Sequence, residues 1–233
     1  MAYYDLYGSI RTLNSSKQYS KYIDKYPCKI FIKEKEFDPY DPEIAICKTL
    51  KEINSKEIYS NDSNDSKEID SKEINPNIVV IYDVFPSKII LEYLPIILIT
   101  PNEMKGMNGM NGMNVLNGIN ELNGMKRLNS SNKEFLKSAI NNARVFLNNM
   151  GIVYIDYKLD NIGIDYNGNY KLFDFDSSGI VNKTENKWMI EPPNHFVYRK
   201  LKKQYGSTIK NKIDYDIYAI QLFFTDIETI CLD

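Results

Sequence analysis

Apolar positions recur along the chain with two different periods, and the period changes near the middle. Cys28 to Lys33 (CKIFIK) alternates apolar with polar and is β-branched, while Asn77 to Phe85 (NIVVIYDVF) is an almost unbroken apolar run. Lys88 to Tyr93 (KIILEY) follows directly after Pro86-Ser87. The pattern predicts one strand and then a hairpin turning at that dipeptide, together an antiparallel sheet. Between the first two runs, Asp41-Pro42-Glu43 sets an N-cap residue before a first-turn proline. It predicts a helix over EIAICKTLKEI packed on the sheet. From Asn132 to Met150 the spacing becomes helical, with Phe135, Ala139, Ala143, Phe146, Leu147 and Met150 on the expected core face and Gly151 at the stop. The fold class is therefore α+β: a sheet with one helix first, then a mainly helical part.

Two stretches interrupt this patterning. Residues 53–75 repeat KEI around a Ser, Asn and Asp tract, and residues 102–132 are a degenerate NGM repeat. The first has too little apolar surface to offset its ordering entropy, and in the second glycine every few residues erodes helix and strand preference alike. Both read as insertions carried by surface loops.

Composition narrows the function. The 29 Lys and Arg nearly balance 31 Asp and Glu, giving a net charge of −2 that argues against a dedicated nucleic-acid surface. Cys28, Cys47 and Cys231 lie far apart, so neither a disulfide framework nor a zinc site is expected. With His195 the one histidine of the sequence, any mechanism needing two histidines is excluded. The stretch from Lys88 to Thr100 carries Glu92 and Pro95 and falls short of the roughly 20 apolar residues of a spanning helix. MAYYDLYGSI shows no targeting pattern. The expectation is an intracellular, cytoplasmic protein, monomeric and away from membranes.

The densest chemistry lies between Gly151 and Gly179 (GIVYIDYKLDNIGIDYNGNYKLFDFDSSG). Asp156 could orient a nucleophilic hydroxyl, and Lys158 could neutralise charge on a transferring group. Asn161 and Asp174 are hard oxygen ligands suited to magnesium. Such a set suits phosphoryl transfer, which depends on in-line positioning and charge neutralisation rather than on a covalent intermediate.

Tyr154 to Asn161 (YIDYKLDN) resembles the HRDxKxxN loop of the eukaryotic protein kinase family, and Asp174-Phe175-Asp176 resembles its DFG motif at the family's spacing. Phe31-Ile32-Lys33 resembles the end of the VAIK strand, Glu43 the helix glutamate that pairs with its lysine, and PNIVVIYDVF with IILEYLP the following strands and hinge. DYDIYAI resembles the stretch opening a long helix of the second lobe, with Asp216 at the aspartate position. The resemblance implies a single two-lobed domain over 1–233, an N-lobe to about residue 93 and a truncated, mainly helical C-lobe from 94. It also implies ATP and magnesium as cofactors and a protein Ser or Thr as acceptor. Lys33 would hold the α and β phosphates, anchored by Glu43, and Glu92 and Leu94 would offer backbone groups to adenine. Asp156 and Lys158 would be catalytic, and Asn161 and Asp174 would bind the metal.

Departures from the family are specific. The glycine loop has its best counterpart in Leu13 to Ile23, with Asn14, Ser16 and Ser20 in place of glycines; Tyr154 and Ile155 replace the His-Arg pair, and Asp176 replaces the DFG glycine. Glu191-Pro192-Pro193 stands for the APE motif, and Trp188 is expected as a packing anchor. The trimmed second half is similar to divergent kinases of giant viruses or AT-rich microbes. Three alternatives stay open: a pseudokinase serving as nucleotide-binding or scaffold module, an atypical small-molecule kinase, against which Lys158 weighs, and a non-enzymatic interaction protein, which rests only on the repeat insertions.

Overall fold

The computed structural model describes residues 2–4, 10–12, 30–34, 41–58, 75–98, 130–193 and 196–230. The chain divides into two compact units, one formed by residues 1–74 and 79–93 and the other by 75–78 and 94–233. Among the described residues there are four α-helices and several small antiparallel sheets, an α+β architecture. No described helix is long and apolar enough to cross a membrane.

In the first unit, β1 (Ala2–Tyr4) pairs with β2 (Ile10–Thr12). Strands β3 (Ile30–Glu34), β4 (Ile81–Phe85) and β5 (Lys88–Glu92) form a sheet of order β3-β5-β4. The Pro86-Ser87 turn closes the β4–β5 hairpin, with Phe85 opposite Lys88. Helix α1 (Pro42–Ile58) packs on β4. Its start follows from Asp41, whose Oδ1 accepts the Glu43 N–H at 2.9 Å while Pro42 fills the first helical position, where no donor is needed. The helix runs six residues into the segment expected as an insertion from Ile53. A Lys-Glu-Ile repeat is helix-compatible, so a helix already nucleated by α1's buried face continues through it. The rest of that segment up to residue 74 lies outside the described residues.

The second unit holds β6 (Ile96–Ile97), β8 (Ile162–Ile164) and β9 (Tyr170–Leu172) in one sheet. A second sheet contains β7 (Ile152–Val153), β10 (Gly179–Asn182) and β11 (Lys187–Ile190). Helices α2 (Ser130–Asn149), α3 (Phe196–Tyr205) and α4 (Asp214–Ile230) complete it. The β8–β9 hairpin turns on Asp165, which accepts the Asn167 and Asn169 N–H groups at 2.8 and 2.9 Å. Trp188 packs against Tyr198 and Tyr215, joining β11 to α3 and α4.

Three expectations need correcting. On the expected face of α2, Ala139, Ala143 and Leu147 are buried, but Phe135 is 69% exposed, and Leu136 and Ile140, outside that face, are fully buried. The buried stripe runs i, i+4, i+7, i+11 from Leu136 and shares Ala143 and Leu147 with the expected face, so the large Phe135 side chain drew that face only part of a turn from its true centre. Asn77 to Phe85 is not one strand: the Asn77 amide donates to Tyr170 O at 3.0 Å and Ile78 bridges Leu172, whereas β4 begins at Ile81. One apolar run thus serves two sheets. Finally, α2 begins at Ser130, before the expected end of the second insertion at residue 132. Residues 99–129, the Leu13 to Ile23 loop, Cys28, Cys231 and His195 lie outside the described residues; Cys47 is buried as a free thiol.

Gly151 ends α2 at φ 78°, and a Cβ there would stand 2.5 Å from Val181 O on β10. Gly151→Ala therefore meets both backbone strain and a clash. The urea midpoint should fall by more than the equivalent of about 1 kcal/mol, and an unchanged midpoint would contradict this reading of the helix end.

Candidate functional site

The loop between β7 and β8 carries most of the polar groups singled out in the sequence. Asp156 N donates to Tyr154 O and Tyr157 N to Ile155 O, both at 2.9 Å. These are two successive i to i+2 turns, and Ile155 at the centre of the first has φ 68°. A β-branched residue in the left-handed region is strained, costing on the order of 1–3 kcal/mol. The strain is met from α4: Asp216 Oδ1, fully buried, accepts the N–H groups of Tyr154 at 3.0 Å and Ile155 at 2.9 Å. Ser178 Oγ donates to Tyr154 O at 3.2 Å. The backbone on the N-terminal side of Asp156 is thereby fixed by three side-chain hydrogen bonds.

Asp156 is itself buried, and its carboxylate is shared. Asn161 Nδ2 donates to Asp156 Oδ2 and to Asp156 O, each at 3.1 Å, and Lys158 Nζ lies 3.3 Å from the same Oδ2. A short 3₁₀ turn, Leu159–Asn161, brings Asn161 back toward Asp156. Lys158 also lies 3.4 Å from Asp160 and is 44% exposed. Partial burial works to lower its pKa, but the Asp156 and Asp160 carboxylates outweigh that and hold the ammonium above its ordinary value.

Asp174 joins this group through Tyr154. The Tyr154 hydroxyl donates to Phe173 O, and Phe173 N donates to Asn161 O at 3.2 Å. The phenol is held far above its ordinary pKa by burial first and then by Asp174, Asp156 and Asp176, so three carboxylates act on one buried hydroxyl. Asp174 has φ 61°, a second left-handed non-glycine residue. Phe175 is buried edge-on against the Tyr154 ring at 5.6 Å. Ser177 Oγ donates to Asp176 Oδ1 at 3.0 Å.

In the first unit, Lys33 Nζ lies 2.7 and 2.9 Å from the two Glu43 carboxylate oxygens, and the side chains are only 4% and 2% exposed. A buried pair of this kind holds each partner by the penalty for leaving the other's charge alone. Glu92 N donates to Val80 O at 2.9 Å, and its Oε2 accepts Val80 N–H at 3.2 Å. Leu94, in the second unit, is buried against Gly163, where a Cβ would stand 2.4 Å from its Cδ1.

No cluster of three or more His, Cys, Asp or Glu able to hold a metal exists among the described residues. The donor chemistry of Asn161 and Asp174 instead fits magnesium, which takes one or two protein oxygens and leaves its other positions to water and phosphate. No protein-family model matches the chain, and no curated protein does.

Asn148 and Ser178 were not singled out in the sequence. With its amide oriented so that each atom meets a partner, Asn148 donates to Asp216 Oδ2 at 2.8 Å and Ile152 O at 2.9 Å, and accepts from Arg144 at 3.2 Å. Its signal was a polar residue on the buried side of α2, next to Leu147.

Burial pushes the Asp216 carboxyl up to about 7, against the downward pull of the Ile155 N–H, Tyr157, Arg144 and the Tyr154 N–H. The folded protein thus holds this proton more tightly than the unfolded chain does. The stability belonging to the group is full below about pH 4 and is lost as pH rises through about 7. In urea titrations, Asp216→Asn should flatten the stability profile between those limits relative to wild type. Parallel profiles would show that this carboxyl does not titrate there.

Proposed function

We propose that the chain is a divergent protein-kinase-like phosphotransferase that moves the γ-phosphoryl group of ATP, with magnesium, to a Ser or Thr hydroxyl of a protein. On this reading the two compact units correspond to the lobes of that fold. One observation carries the proposal: a buried aspartate, Asp156, engaged by both Asn161 and Lys158 on a strained turn that Asp216 holds in place. Strain kept at a polar loop by a buried carboxylate is costly for a scaffold, and it suits a loop whose atoms must be pre-positioned.

Asp156 accepts the proton of the acceptor hydroxyl as the hydroxyl oxygen forms its bond to the γ-phosphorus. The bond from that phosphorus to the β–γ bridging oxygen breaks, and the nucleoside diphosphate leaves with the electron pair. Lys158, a fixed cation beside Asp156, neutralises charge on the moving group. Asn161 and Asp174 would hold magnesium, which when bound draws charge from the phosphate oxygens. Lys33, oriented by Glu43, supplies a cation for the α and β phosphates, and the backbone at Glu92 and Leu94 is assigned to the base.

Purified protein with labelled ATP and magnesium should label a generic Ser/Thr acceptor or itself. Asp156→Asn should lower the rate by about 10²–10⁴-fold, the usual contribution of a positioned general base. Unchanged label transfer in the variant would refute the assigned role. Nucleotide binding without transfer by wild type would favour a scaffold module instead.

A further inference from the structure

Positive charge is distributed unevenly along this chain. Residues 183–212 contain eight Lys and Arg against two carboxylates, Glu185 and Glu191, on a protein whose net charge is −2. Helix α3 concentrates it. Tyr198 and Leu201 bury one side of the helix, and Arg199, Lys200, Lys202 and Lys203 are exposed. Lys202 is committed to Glu191 at 3.1 Å. Among the described residues, Arg199, Lys200 and Lys203 make no ion pair, and at 3.6 residues per turn they share with the exposed Phe196 an arc of about 100° opposite the side buried by Tyr198 and Leu201. The helix is fixed to the segment that follows Asp174: Glu191 accepts the Tyr198 hydroxyl at 2.7 Å, and Trp188 of β11 packs on Tyr198.

We propose that this basic face of α3 docks an acidic, serine-bearing polypeptide, the substrate class of the phosphotransferase; the substrate role rests on the function proposed above. The chain's own sequence contains such a polypeptide. Between residues 62 and 73 the pattern Asp-Ser-x-Asp/Glu occurs three times, at Ser63, Ser66 and Ser71, each with a carboxylate one residue before and another two residues after. A second copy of the chain can therefore present it. In an extended peptide those carboxylates stand about 10 Å apart, a span that Arg199 and Lys203, one turn apart on long flexible stems, can meet together. Nucleic acid fits less well. A ten-residue helix is about 15 Å long and faces few phosphates, and the patch holds one arginine, the residue whose planar fork suits phosphate best.

The test uses the full-length protein and a fluorescent peptide of residues 59–74, followed by anisotropy. Wild type should bind it, with affinity dropping as salt is raised. Affinity should weaken about tenfold or more when Arg199, Lys200 and Lys203 are all changed to Glu, and equally for a neutral peptide in which every Asp and Glu becomes Asn or Gln and Lys67 and Lys72 become Gln. Because the neutral peptide is tested on wild type, the result does not depend on how the triple variant folds. Equal binding of acidic and neutral peptides overturns the proposal, as does tighter binding of an oligonucleotide or of phosphatidylserine vesicles at the same face. With ATP and magnesium, label should enter the acidic peptide in preference to the neutral one. Specific binding with no label in any acceptor leaves the docking face standing and refutes the phosphotransfer reading. Label in a generic acceptor with no preference for the acidic peptide refutes the docking face alone.

Discussion

A single carboxylate on α4 holds the second unit's polar loop in a conformation its sequence would not adopt unaided. Asp216 Oδ1 accepts two successive backbone N–H groups, those of Tyr154 and Ile155, in full burial. An isoleucine in the left-handed region loses free energy locally, and two buried hydrogen bonds to one acceptor oxygen are of a size to offset that loss. With Ile155 so placed, Asp156 follows in a tight turn rather than an extended run, and Asn161 can return to it within five residues.

The buried carboxylate is in turn supported from a second helix. Asn148 of α2 donates to Asp216 from one side and accepts in turn from Arg144, and Tyr157, which stacks on Phe223 of α4, lies beside it. Both helices and the loop thus share one polar centre inside an otherwise apolar core. Such centres cost stability compared with an apolar core, and they specify geometry because few alternative packings satisfy every member. Tyr154 extends the arrangement outward. Its ring packs on Phe175 and its hydroxyl binds Phe173 O, tying the Asp174 segment to the loop that contains Asp156.

Local chemistry was legible wherever a few neighbouring residues decide the outcome. The Pro86-Ser87 turn, the Asp41 cap and the Gly151 stop could each be read because capping and turn residues act within four positions. The edge of the α2 core face was not, since Ala139, Ala143 and Leu147 are buried as expected but Phe135 and Leu136 are both apolar and only tertiary packing chooses between them. Nor was the split of the run from Asn77 to Phe85, where uniform apolarity hides the point at which the chain changes sheets. In the site, Asp156, Lys158 and Asn161 were visible as a spaced set, and the structure adds their contacts. The left-handed Ile155 was hidden, because nothing in an isoleucine announces positive φ; it depends on an aspartate 61 positions away.

The central claim is that Asn161 and Asp174 present oxygens to one divalent ion beside Asp156. The most direct measurement is a crystal of the full-length protein grown with a non-hydrolysable ATP analogue and manganese in place of magnesium, with the ion located by anomalous scattering. The account predicts a single strong peak within coordination distance of the Asn161 side-chain oxygen, an Asp174 carboxylate oxygen and the analogue's phosphates. Analogue bound without an ion there, or a manganese peak on other residues, would contradict it.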